Sequence, residues 1–133
     1  MADDLVARLD AFLRPLEGKE VSWGKDDCSA LCAEWARECG HDVKIPAYSS
    51  QEEAHVLIRN AGGLVALWDG IAASAGICER IGEPQFGDVG IIPTDRFGPV
   101  GVIFGGPHLC CWRHGKGAFW LAPRIITKVW AIT

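Results

Sequence analysis

The feature that most constrains the fold of this chain is a change of hydrophobic rhythm near Pro84. Ahead of it, apolar residues recur three and four positions apart; behind it they come in short β-branched runs separated by Gly and Pro. The first spacing lines up side chains on one face of a helix, and the second suits half-buried strands. Leu5, Val6, Leu9, Phe12, Leu13 and Leu16 predict a first helix, which Pro15 and Gly18 end. A second begins near Cys28 with Asp26 or Asp27 as N-cap, carries Ala30, Leu31, Ala33, Trp35 and Ala36 inside, and stops at Gly40. Ser50-Gln51-Glu52-Glu53 is a capping box for a third helix, with Ala54, Leu57 and Ile58 on one face. Residues 60–63 break it and 64–75 predict a fourth, while 77–82 read equally as a strand or a helical turn. Five β-rich runs follow, at 89–92, 100–104, 109–112, 119–121 and 125–132. Helices first and an antiparallel sheet second define an α+β fold. With no repeat and no linker, residues 1–133 are expected to form one domain.

Charge and cysteine usage narrow the function classes. The net charge is −4 and the basic residues are scattered without a stripe, so no nucleic-acid partner is expected. Met1-Ala2-Asp3-Asp4 is acidic where a signal peptide is basic, and no apolar run approaches a membrane span. Synthesis in a cytosol is the expectation, and six cysteines there are free thiols rather than disulfides.

Cys28 is the residue with chemistry to offer. A cysteine in the first turn of a helix meets unpaired backbone N–H groups and their partial positive charge, which favours thiolate and lowers the pKa from about 8.5. A thiolate facing a sheet that supplies a base is the layout of a cysteine hydrolase. A packed, inert thiol is the competing reading of a cysteine at a helix start.

The surrounding residues add a resemblance. Trp23-Gly24, then Asp27-Cys28-Ser29 and Leu31, resembles the nucleophile segment of the NlpC/p60 family of papain-like cysteine peptidases. Pro84 and Gly87-Asp88-Val89 look like that family's Pro-Gly-Asp-aliphatic strand, and Val100-Gly101-Val102 like its Val-Gly-Ile strand. The resemblance runs from Trp23 to Gly105 in the family's order. It implies a papain-like fold, with N-terminal helices packed on a C-terminal antiparallel sheet and Cys28 as nucleophile. Short versions of the family occur among proteins encoded in phage tail gene clusters.

One position departs from the pattern. The family places its catalytic histidine just before the Val-Gly-Ile strand, and here Gly98-Pro99 stands there. Proline has no titratable group. A hairpin pairing Phe104 with Leu109 would set Ile103 against Cys110, Gly101 against Trp112 and Pro99 against His114. His114 would then reach the vacant position, and a slip of one residue would send it to the other face. His108, His41 and His55 are poorer candidates. The third catalytic position of the family lies on the second strand of this hairpin, where 109–113 offer no obvious residue to orient an imidazole.

The candidate site is therefore Cys28 and His114 as catalytic residues, with Trp23, Asp27 and Trp112 toward substrate. A zinc site drawn from Cys28, Cys32, His108, Cys110 and Cys111 lacks paired Cys-x-x-Cys knuckles, so neither metal nor cofactor is expected. Two functions stand side by side. The favoured one is a base-less papain-like domain with a structural or assembly role, made in the bacterial cytoplasm and residing in a phage tail beside other tail or tail-tip proteins. The other is an active peptidase or amidase cutting peptidoglycan stem peptides.

Overall fold

The structure is a computed structural model that describes residues 2–133. Its helices are α1 (Ala2–Leu13), continued by a 3₁₀ turn at Arg14–Leu16, α2 (Cys28–Glu38), α3 (Gln51–Ala61) and α4 (Leu64–Ser74). Its strands are β1 (Val89–Thr94), β2 (Gly98–Phe104), β3 (Cys110–His114), β4 (Gly117–Leu121) and β5 (Lys128–Trp130). They form one sheet in the order β4-β3-β2-β1-β5, every neighbouring pair antiparallel. The α+β expectation holds, and so do the helix starts and stops. Asp27 caps α2 by accepting from Ser29 and Ala30 N–H groups, and Ser50 caps α3 by accepting from Glu53 N–H. The ambiguous 77–82 segment makes a single bridge, Glu79 to Trp130, along the open side of β5.

The helices lie on one face of the sheet because their apolar stripes have only that face to cover. Leu9, Leu31, Trp35, Trp68 and Ile71 meet Val89, Ile91 and Ile103 in the larger core cluster. The fully buried Trp35 also donates from Nε1 to the Gly87 carbonyl at 2.8 Å, so the indole has no unpaired polar atom. The opposite sheet face carries a smaller cluster of Ile92, Val100, Val102, Phe104, Cys110 and Val129.

α2 is seated directly on β2. A Cβ placed on Gly101 would lie 3.3 Å from the Cys28 carbonyl oxygen and 3.4 Å from the Cys32 sulfur, so glycine there lets helix and strand approach closely. The Cys32 thiol reaches the Val102 carbonyl at 3.4 Å. α3 and α4 meet at 82° about Gly62 and Gly63, and close the remaining side of the space in front of Cys28. No single helix among the described residues is long and apolar enough to cross a membrane.

A buried carboxylate in an ion pair fastens one end of this arrangement. Asp88, fully buried, takes Arg80 in a two-bond fork at 2.9 and 3.0 Å, together with the backbone N–H groups of Gln85 and Ile132. Asp88 of the Gly-Asp-Val motif thus ties the start of β1 to the chain's last residues. His41 lies half-buried just past α2, with Nε2 2.8 Å from the Ile132 carbonyl.

Candidate functional site

A cleft of about 510 Å³ opens at the N-terminus of α2. Trp23, Asp27, Cys28, Trp112 and His114 all border it, so the five residues picked from the sequence converge on one place. Their roles within it differ from one another.

Asp27 is buried and holds the start of α2 in place. Its carboxylate accepts from the N–H groups of Gly24, Ser29 and Ala30 and from the Tyr48 hydroxyl, which sits 2.7 and 2.8 Å from its two oxygens. With both oxygens so engaged, Asp27 positions Cys28 and has little left for a substrate. Burial, the Asp27 charge and the bond to it push the Tyr48 hydroxyl far up, so it stays protonated and donating. Gly24 makes this possible. Its φ of 83° and the 1.9 Å separation between an added Cβ and the Tyr48 carbonyl oxygen leave room for no other residue.

Cys28 borders the cleft partly exposed, and burial of its remaining sides pushes the thiol up from its ordinary value. The Gly101 backbone and the Ser29 backbone and hydroxyl pull it back, while the Asp27 carboxylate pushes it further up. The helix terminus was expected to favour thiolate. Here the N–H groups that would do so are spent on Asp27, whose negative charge works in the opposite direction.

The hairpin register also departs from expectation. Ile103 pairs with Cys111 and Phe104 with Cys110, one residue away from the pairing of Phe104 with Leu109. The reason lies at the turn, where the Gly105 N–H bonds the Leu109 carbonyl and leaves Leu109 outside the ladder. Alternation along β3 then gives Arg113 the inward side with Cys111 and puts Trp112 and His114 on the side of Cys110. There Trp112 packs against the smaller core cluster, and the His114 ring stacks on it at 4.5 Å and 15°, with Phe97 5.0 Å away. Both still border the cleft because the β2–β3 ladder ends at Ile103 and Cys111, and the diverging strand ends flank its opening. Pro99 lines it from β2.

Sequence reasoning missed Arg113. It is buried and donates to the carbonyls of Lys19, Asp26 and Gly117 and to the Asp26 carboxylate at 3.1 Å, binding the segment ahead of α2 to the β3–β4 turn. An arginine on a strand flanked by Trp and His could have signalled this, since a buried strand position tolerates a charge only when paired. Sequence reasoning also passed over a charge asymmetry. All 17 acidic residues precede Arg96, and Arg96, Arg113, Lys116, Arg124 and Lys128 follow with no acid among them.

The cysteines are all free. Burial pushes Cys110 up to about 11 and Cys111 to about 12, the properties of packed apolar groups. No group of three or more His, Cys, Asp or Glu side chains among the described residues is placed to hold a metal ion.

Comparison with curated proteins and with solved structures returns no match. A family profile described as a domain of unknown function, DUF6950, matches residues 1–132, and the chain belongs to that family.

Proposed function

We propose that this protein is a papain-like domain that has kept the thiol-bearing cleft of its fold and lost the base, and that it serves as a structural or assembly component of a phage or prophage tail. The observation that supports this best is the set of residues around Cys28. Proline occupies the position of the family's histidine, Arg113 is spent on holding the loop ahead of α2, and His114 is stacked against Trp112. Burial keeps the Cys28 thiol protonated, and no histidine among the described residues hydrogen-bonds it, the contact through which attack on a carbonyl passes the proton. The tail assignment follows from the NlpC/p60 resemblance and is an argument by analogy. Its partners on this reading are other tail or tail-tip proteins, with synthesis in the bacterial cytoplasm and residence in the virion tail.

Genetic complementation tests both halves. Deleting the gene from its phage is expected to yield particles with defective tails, and a copy carrying Cys28→Ala is expected to restore infectivity to the wild-type level. Normal tails after deletion would remove the assembly role. Failure of a folded Cys28→Ala protein to complement, together with muropeptide cleavage by the wild type, would make it an active hydrolase instead.

A further inference from the structure

We propose that the cleft beside Cys28 binds an amphipathic carboxylate, with one unbranched alkyl chain in its interior and the carboxylate at Arg96 on its rim. The volume of about 510 Å³ falls within the range of small-molecule sites. Leu57 and Ile58 of α3 and Leu64, Leu67, Trp68 and Ile71 of α4 make the inner wall.

The charged and hydroxyl side chains of the lining divide between interior and rim. Inside, Asp27 and Tyr48 are bonded to each other, Ser29 accepts from the Trp68 indole at 3.4 Å, and Arg113 is turned to Asp26. At the rim, Gln51, His55, Arg96 and His114 are exposed. A peptide reaching the inner wall would bury amides against side chains already satisfied, at a cost of about 1–3 kcal/mol for each unmatched group. An alkyl chain carries no group to satisfy. Chemistry on the wall thus selects hydrocarbon over peptide.

Charge selects the head group. Asp27 is the one carboxylate in the lining, and its oxygens are taken. Arg96 stacks its guanidinium over Phe97 at 5.4 Å and enters no ion pair among the described residues. A single guanidinium matches a single carboxylate through two parallel N–H···O bonds.

The test is a titration of the whole protein with octanoate, decanoate and dodecanoate below their micelle concentrations, read by tryptophan fluorescence. Trp23, Trp68 and Trp112 all border the cleft and report its occupancy. Affinity is expected to rise about three- to fourfold per added methylene until the cleft is full. Arg96→Gln, an exposed change, is expected to weaken dodecanoate about tenfold and leave dodecanol unchanged. Equal binding across the chain-length series would overturn the proposal, and so would dodecyltrimethylammonium binding as well as dodecanoate. Tighter binding of an N-acetylated apolar tetrapeptide would overturn it in favour of a peptide groove. Fluorescence reads occupancy and not turnover, so this result and the complementation result fail independently.

Discussion

Replacing Arg113 with methionine is expected to lower the unfolding free energy by about 3–5 kcal/mol, the cost of breaking a buried pair from one side. Methionine fills much of the volume, but the Asp26 carboxylate keeps only Lys19 and the Ser22 N–H, and carbonyls of Lys19, Asp26 and Gly117 lose their donor. The effect has a pH signature. Burial alone would raise the Asp26 carboxyl, yet the bonds from Lys19, Ser22 and Arg113 outweigh it and hold it below the ordinary range. A carboxyl lowered by folding stabilises the native state above its unfolded value, and that contribution fades as pH falls through the lowered one. The gap between wild type and Arg113→Met is therefore full at neutral pH and narrows below about pH 4. Urea unfolding at several pH values measures it. A gap under about 1 kcal/mol at neutral pH would mean that Arg113 is not holding the loop.

The second large effect is expected at Gly24. Alanine there is expected to cost about 3 kcal/mol or more, the sum of a left-handed backbone for an L-residue and an overpacked contact. The contact is with backbone, since the Tyr48 carbonyl oxygen lies 1.9 Å from the added Cβ, so relief requires the 45–48 loop to move. That movement takes the Tyr48 hydroxyl off Asp27 and loosens the cap of α2. Gly40→Ala is the control. It has a similar φ of 97° with open space around it, and about 1–2 kcal/mol is expected. Equal costs at the two positions would show that the Tyr48 contact does not constrain the loop.

These two effects sit where the sequence was read unevenly. The helices were legible because their signals are local. Ser50 with Glu53, Asp27 ahead of Cys28, and Gly40 beyond Cys39 each act within one turn of chain. The strands were legible as runs of β-branched residues. The β2–β3 register was not, because nothing in 104–109 distinguishes pairing at Leu109 from pairing one residue later, and a single bond from Gly105 decides it. That one residue put Cys110, Trp112 and His114 on the face away from Ile103 and gave Arg113 the inward place. Cys28, Asp27 and Trp23 were found because the motif is contiguous. Tyr48 and Arg96 were missed because they join the cleft from distant loops, and no spacing in the chain connects them to Cys28.

The central claim is that the Cys28 thiol has no base. The direct test is the rate of Cys28 carboxymethylation by iodoacetamide against pH, resolved from Cys78 and the other thiols by peptide mass mapping. The account predicts a midpoint above about 8.5 that His114→Ala leaves in place and Pro99→His lowers. A midpoint well below about 8.5 that returns to the ordinary value when His114 is removed would contradict it.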